Sequence, residues 1–255
     1  MIRGLFSPFR TLRIADRRDS NSSGDLNRYN GRMANHAYVN FWTRERGAET
    51  MLDRFERLLQ TFPFSAVWRE FTGMVIRAVG PSEAPLAEHD LRGTMAGASD
   101  VIALAREHDS ADCSYEVEAH WDIWQRNLEA GVWQRGPERV LLICNGRAYD
   151  DDAADESGDF VADIGFEHLY TGHAGLLGSY GARSAPSDPV EAEFLAWMTH
   201  EEHLHEYYEK TRANIQLLLN WVTSAEKALP LERHRLWSEG EENLEARLDE
   251  ILAVH

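Results

Sequence analysis

The sequence predicts an α+β protein: a ferredoxin-like antiparallel sheet, extended by a β-meander and followed by a C-terminal α-helical hairpin. Three observations predict this fold. Strand-like and helix-like segments follow one another over residues 36–124 in the order strand, helix, strand, strand, helix, strand, which is the ferredoxin-like order. Alternating strand-like runs continue to residue 170. Two amphipathic segments then occupy residues 188–254.

Apolar runs bounded by turn residues predict the elements of the first half of the chain. The predicted strands are His36–Thr43, Ser65–Arg69, Met74–Val79 and Cys113–Trp124, and the predicted helices are Ala48–Thr61 and Ser99–Glu107. In the first helix, Met51, Phe55 and Leu58 share one face, and Pro63 ends the helix.

The second half continues in strands, so we expect a sheet of more than four strands with helices mostly on one face. The predicted strands are Val132–Gln134, Arg139–Cys144 and Phe160–Tyr170. The dipeptide Asn145–Gly146 predicts a tight hairpin turn. Glycine recurs at every third position from Gly172 to Gly181, which predicts a flexible connector over residues 173–187.

One long helix is predicted from Asp188 to Leu229. Asp188 is a good N-cap, Pro189 suits the first helical position, and Glu191 completes a capping box. No Gly or Pro interrupts the run until Pro230, so the helix would be about 63 Å long. Its apolar stripe consists of Trp197, Leu204, Tyr208, Ile215, Leu218, Val222, Ala225 and Leu229.

A second apolar stripe follows the turn at Pro230. Leu231–Trp237 is predicted to form a short helix, and Ser238 with Glu241 forms another capping box that opens a final helix to Ala253. Two stripes separated by a tight turn predict an antiparallel helical hairpin over residues 188–255. The hairpin could pack on the sheet, project as an arm, or join two copies in a homodimer.

The N-terminal segment differs from the rest of the chain. Residues 1–32 contain seven Arg and three Asp, while the whole chain has a net charge of −17. We expect a disordered basic extension here, with a basic tail or transit-like leader as the alternative. Residues 33–172 then form the α+β sheet domain.

The composition excludes several classes of protein. A net charge of −17 repels nucleic acid and would steer cationic partners or metal ions towards the protein. No apolar run is long enough to span a membrane. Cys113 and Cys144 are the only cysteines, which favours a reducing cytoplasm. We therefore expect a cytoplasmic protein that binds neither nucleic acid nor membrane.

The strand Cys113–Trp124 carries the first candidate site. Its apolar residues alternate with Glu116, Glu118, His120 and Asp122, so these four point to the other face of the sheet. Trp124 shares that face and could anchor a partner.

The strand Phe160–Tyr170 alternates in the same way, with Asp163 and Glu167 on one face. If the two strands share a sheet, the face carries an acidic field with one histidine. Alternate residues lie about 7 Å apart, near the separation at which two carboxylates flank a water. A catalytic use is thus the alternative to partner binding.

The second candidate site lies on the long helix, where His and Glu are densest. Glu202, His205 and Glu209 fall on one flank of the stripe, and His200 and His203 on the other. Glu202 and His205 form one Glu-x-x-His pair, whereas di-iron bundles use two such pairs. The flank containing Glu202 is the candidate site for a divalent metal.

Our leading functional hypothesis is a non-enzymatic cytoplasmic interaction protein without a cofactor. Its acidic sheet face would dock a cationic protein partner, as inhibitors of basic proteins do. One alternative is a metal-dependent hydrolase that uses His120 or the group Glu202, His205 and Glu209. Another is an assembly protein that dimerises through its helical stripe.

Overall fold

Strands and helices alternate along the chain, and the longest helix lies near the C-terminal end. The computed structural model describes residues 35–44, 48–127, 131–151, 153–172 and 189–253. The strands are β1 (His36–Thr43), β2 (Gly73–Ala78), β3 (Ala87–Asp90), β4 (Cys113–Asn127), β5 (Val132–Asn145), β6 (Phe160–Phe166) and β7 (Leu231–Ser238). The helices are α1 (Ala48–Gln60), α2 (Ala98–Arg106), α3 (Ala153–Ser157), α4 (His168–Thr171), α5 (Pro189–Trp197), α6 (Glu201–Ala228) and α7 (Leu244–Ala253).

The strands form one seven-stranded sheet in the order β3-β2-β4-β5-β6-β1-β7. Every pair of neighbouring strands is antiparallel, which confirms the α+β class and the antiparallel sheet. The consecutive strands β4, β5 and β6 are neighbours, as in a meander.

The ferredoxin-like order is not found. β1 lies between β6 and β7, and β5 and β6 separate it from β4. In addition, Ser65–Arg69, predicted to be a strand, forms a loop with bends at Ala66 and Val67 instead. The N–H of Ala66 donates to Asp122 at 3.0 Å, and the N–H of Val67 donates to the Ser65 hydroxyl at 3.1 Å. Side chains therefore bind two of the backbone donors of this segment, whereas the N–H of Ser65 donates to the His120 carbonyl of β4 at 2.8 Å.

Two features of the strands were not predicted. The polar strand β3 pairs with β2 at the sheet edge, although its residues have little strand propensity. β5 is one continuous strand through Gly136 and Pro137, not two pieces. Because β6 pairs only with Leu141–Cys144, Pro137 lies at an open edge, where no ladder hydrogen bond is lost.

The tight hairpin predicted at Asn145–Gly146 is also absent. β5 and β6 are joined by residues 146–159, which include α3. Gly146 instead allows a close approach of two backbones, because a Cβ there would lie 2.6 Å from the carbonyl oxygen of Cys113. A glycine that permits close packing resembles a turn glycine in sequence.

The predicted long helix is two helices, because the chain leaves the helical conformation at His200 (φ −81°, ψ 126°). Side chains contact two backbone carbonyls at the break, which also accept the N–H groups of Thr199 and His200. The Thr199 hydroxyl donates to the Ala196 carbonyl at 2.7 Å. Nδ1 of His203 lies 2.9 Å from the Trp197 carbonyl, and the two rings stack with their centroids 4.1 Å apart.

The predicted helical hairpin is not found, because a strand separates the two helices. Leu231–Trp237, predicted to be a short helix, belongs to β7, which pairs with β1 and so satisfies backbone groups of both strands. α7 begins at Leu244, not directly after Ser238. The Ser238 hydroxyl accepts the N–H of Glu241 at 3.1 Å in the intervening turn.

The sheet and α6 share one hydrophobic core. Trp221 of α6 contacts Trp121 of β4 and Phe41 of β1 edge to face, with ring centroids 5.9 Å and 5.8 Å apart. The α6 residues Ile215 and Leu218 are fully buried in the same core, so the stripe offered for homodimerisation packs within its own chain.

Three further findings concern the predicted organisation. No helix in the described ranges is long and apolar enough to cross a membrane. The predicted disordered extension, residues 1–32, and the predicted connector, residues 173–187, lie outside the described residues.

Candidate functional site

The candidate site lies on the face of the sheet opposite α6. In β4, Tyr115, Val117, Ala119, Trp121 and Ile123 are fully buried, as the alternation predicted. Glu116, Glu118, His120 and Asp122 point to the other face and are half-buried. We call this second face, made of these four residues and their cross-strand neighbours, the open face.

Glu118 accepts one hydrogen bond through each of its carboxylate oxygens. Its Oε1 accepts the Thr72 hydroxyl at 2.7 Å, and its Oε2 accepts Nε of Arg139 at 2.7 Å. Burial alone would raise the pKa of Glu118, but the Thr72 hydrogen bond and the Arg139 charge outweigh it and lower the pKa. Glu118 therefore stays ionised, with 32% of its side chain exposed.

His120 lies beside this pair. Its Nδ1 is 3.4 Å from the Thr72 hydroxyl, and its ring centroid is 5.8 Å from that of Trp68. Burial lowers the pKa of His120 below the ordinary 6.5, although the charge of Glu118 opposes the shift. The imidazole is thus uncharged at neutral pH and can donate or accept a hydrogen bond.

The other three predicted residues of β4 mainly hold structure. Glu116 accepts Nε of Arg77 at 3.0 Å, and Asp122 holds the loop before β2 through the N–H of Ala66. Trp124 is not an exposed anchor, because the Lys210 ammonium lies 3.8 Å above its ring.

Asp163 and Glu167, predicted on the strand Phe160–Tyr170, have different environments. Both are buried. Asp163 belongs to β6 and accepts the N–H of Gly165 at 3.0 Å. Glu167 follows the strand and accepts the N–H of Gly240 at 3.0 Å. Burial raises the pKa of Glu167. Only Asp163 thus belongs to the open face.

Sequence reasoning predicted only Asp163 of a cluster of titratable residues at a β-bulge. Nδ1 of His36 lies 2.8 Å from Asp163 Oδ1 and 3.0 Å from Oδ2. The Tyr38 hydroxyl donates to Glu239 at 3.1 Å. Glu138 accepts the side-chain amide of Gln125 at 2.6 Å. We call His36, Tyr38, Glu138, Asp163 and Glu239 the bulge cluster.

Three residues of the bulge cluster, His36, Tyr38 and Glu138, have pKa values raised above their ordinary values. The hydrogen bond to Asp163 raises the pKa of His36 above the ordinary 6.5, against the effect of burial. Burial raises the pKa of Glu138 and of Tyr38. Such shifts collect at functional sites more often than elsewhere. Asp163 orients the His36 ring, which leaves Nε2 as the nitrogen that can exchange a proton.

Gly165 makes room for this cluster. Its φ of +89° is left-handed, and a Cβ there would lie 3.3 Å from Oε1 of Glu138. The register between β1 and β6 shifts in this region, between His36 and Tyr38, as at a β-bulge. A glycine inside a strand pattern is the sequence signal for such a bulge, and Gly165 could have pointed to the cluster.

Charges on the open face alternate in sign from strand to strand. The strand alternation and register place six carboxylates and five guanidinium groups on it: Glu88 and Asp90 of β3, Arg77 of β2, Glu116, Glu118 and Asp122 of β4, Arg135 and Arg139 of β5, Asp163 of β6, and Arg233 and Arg235 of β7. The face is therefore not a continuous acidic field. Arginines on neighbouring strands compensate the carboxylate crowding expected from the sequence.

The predicted metal site is not assembled. Glu202, His205 and Glu209 are exposed on α6, and Glu209 pairs with Arg212 at 3.0 Å. Within the described ranges, no group of three His, Cys, Asp or Glu side chains is placed to hold a metal ion. The break at His200 leaves these three residues together on α6 and separates them from Trp197 of α5.

The known proteins offer no further guide to this site. Comparison of the chain with protein-family models, with curated protein sequences and with solved structures yields no match. The function is therefore inferred from the charges and geometry described above.

Proposed function

We propose that this chain is a non-enzymatic, cytoplasmic binding protein that docks a cationic protein partner on its open face. The observation that supports this most strongly is the ordered charge pattern on an accessible sheet face. Glu118 keeps its charge and is one-third exposed, while its neighbour Arg139 is 57% exposed. Such groups can exchange intramolecular contacts for contacts with a partner.

The arginines on neighbouring strands would set the orientation of the partner. A partner cation placed over β4 meets Glu118, whereas the same cation shifted by one strand meets Arg77 or Arg139. Like charges brought together across an interface cost several kcal/mol. The strand-wise pattern therefore favours one register of docking and disfavours the neighbouring ones.

The net charge of −17 would act before contact. An acidic protein attracts cationic partners at long range and raises the association rate, and salt weakens this effect. Cys113 and Cys144 are both buried free thiols, and burial raises the pKa of each. Unreactive thiols agree with the proposed reducing compartment.

The test is affinity capture from a cell extract with two charge-matched variants. Glu116→Gln with Glu118→Gln removes two charges from the open face, and Glu202→Gln with Glu209→Gln removes two from α6. We expect a partner that the wild type and the α6 variant retain and the open-face variant loses. Retention by both variants would contradict the proposal, as would the absence of any salt-sensitive partner.

A second candidate function is general acid–base catalysis at the bulge cluster. The favouring observation is the His36–Asp163 pair at 2.8 Å, next to Glu138 with its raised pKa. Two titratable groups with different pKa values can act as the general acid and the general base of one reaction. Chromogenic ester, phosphoester and glycoside substrates test this idea. Turnover lost in Asp163→Asn supports catalysis, whereas no turnover of any substrate class contradicts it.

A further inference from the structure

β7 forms one edge of the sheet, and its free backbone groups can be assigned. The N–H of Glu239 donates to His36 of β1 at 3.1 Å, so alternate residues back along β7 also face β1. The N–H of Leu236 points away from β1 and binds Glu245 of α7 at 3.0 Å. By the same alternation, the N–H group of His234 points away from the sheet. The alternation ends at Glu232, where the register of β7 against β1 shifts between the pairs Trp42–Arg233 and Thr43–Leu231.

The two edges of the sheet are protected to different extents. At the opposite edge, β3 has only four residues, two of them acidic, and short charged strands resist pairing with another chain. β7 has eight residues and no proline. In the described part of the chain, no hydrogen bond engages the N–H of His234. The edge of β7 at His234 is therefore open to another strand.

The side chains along this edge are basic on the open face. Arg233 and Arg235 are exposed and two residues apart, so they project on the same side. The Arg233 guanidinium lies 4.0 Å from the ring centroid of Trp42. On the other face, His234 pairs with Glu226 at 3.1 Å. A strand added here would place alternate side chains beside two arginines.

We propose that the β7 edge binds an extended acidic segment of a partner protein by strand addition. Main-chain hydrogen bonds to the N–H and carbonyl groups of His234 would provide affinity, and carboxylates at alternate positions beside Arg233 and Arg235 would provide specificity. A second copy of this chain fits poorly. Antiparallel pairing of two β7 strands about His234 would set Arg233 opposite Arg235 of the other copy, and like charges across a ladder are destabilising.

The probe is a fluorescent peptide of alternating Glu and Val, measured by fluorescence anisotropy. We expect binding that Arg233→Glu with Arg235→Glu weakens by about tenfold or more, since two cross-strand charge pairs become repulsive. Arg57→Glu with Arg147→Glu makes the same charge change elsewhere and should leave the affinity within about twofold. Circular dichroism checks the fold of each variant.

Peptide backbone methylation separates strand addition from simple charge attraction in the wild-type protein. N-methylation at positions that face β7 should abolish binding, whereas methylation at the alternate positions should not. Equal effects of both methylation patterns would overturn the proposal, as would undetectable binding near 1 mM peptide, the weak end of specific affinities. So would dimerisation through this edge, seen by light scattering and lost in the arginine variant. This test uses an acidic probe and no residue of β4, so its outcome is independent of the proposed cationic partner.

Discussion

At the scale of single residues, the pKa values of His36 and His120 are shifted in opposite directions. Asp163 binds Nδ1 of His36 and favours the charged imidazolium. His120 is surrounded by Trp68 and Thr72, and burial favours its neutral form. Sequence alternation identified His120, but it could not identify His36, because the partner of His36 comes from a strand more than a hundred residues away.

The two histidines should titrate on opposite sides of the ordinary value of 6.5. We expect NMR titration to give a raised pKa for His36 and a lowered pKa for His120. Asp163→Asn should lower the pKa of His36, because the hydrogen-bonded charge is lost, and leave that of His120 in place. A His36 pKa that is insensitive to this change would contradict the assignment.

These shifts also give the sign of the pH dependence of stability. The pKa of His36 is raised on folding, so its contribution is complete below pH 6.5 and is lost as the pH rises through the folded-state pKa. The pKa of His120 is lowered, so its contribution is lost as the pH falls from 6.5 to the folded-state pKa. The unfolding free energy of the wild type, measured by urea unfolding against pH, should show both slopes. The His36→Gln variant should lack the first slope, and the His120→Gln variant should lack the second.

The packing of the bulge cluster requires a glycine at position 165. Gly165→Ala forces a Cβ into a left-handed conformation, 3.3 Å from Glu138, and should cost about 1–3 kcal/mol of unfolding free energy. Gly136→Ala is the matched control, because nothing lies within 4 Å of a Cβ there. Its effect should stay within about 0.5 kcal/mol in urea unfolding, and equal losses in both variants would refute the role of Gly165.

At the scale of elements, the sequence was a good guide where one periodicity dominated. The helix α1 and the strands β1 and β4 begin where predicted, because their apolar patterns are regular. Prediction failed where long-range contacts outweighed local pattern. The local pattern of β7 predicted a helix, but this segment pairs with β1. Hydrogen bonds of Thr199 and His203 accompany the break between α5 and α6. Neither contact leaves a signal in local periodicity.

Asn214 joins α6 to the sheet and should be essential to stability. Its side chain accepts the N–H of Trp124 at 2.8 Å and donates to the carbonyls of Trp124 and Leu169 at 2.9 Å and 3.0 Å. Asn214→Ala leaves these groups unsatisfied and should cost about 2–4 kcal/mol. The exposed Asn220, whose side chain accepts a hydrogen bond from Gln216 of the same helix at 2.9 Å, gives the control Asn220→Ala. Denaturant unfolding that ranks the two equally would contradict this role.

At the scale of the whole molecule, the acidity of the chain and the charge of the open face are separate properties. The chain carries −17, whereas the face is close to balanced, because arginine-bearing strands separate the carboxylate-bearing ones. The sequence revealed the carboxylates through their alternation. It could not reveal the compensation, because strand order decides which residues become neighbours. In our account, the net charge brings a cationic partner near, and the charge pattern of the face selects its register.

The most direct test of this account is calorimetric titration of the captured partner with the charge-matched variants at low and high salt. We predict that Glu116→Gln with Glu118→Gln weakens binding by about tenfold or more, as expected for loss of close interfacial charge pairs. The change of equal charge on α6, Glu202→Gln with Glu209→Gln, should alter affinity by less than about twofold at high salt, where long-range steering is screened. Equal weakening by both variants would mean that only net charge matters, and it would contradict a docking role for the open face.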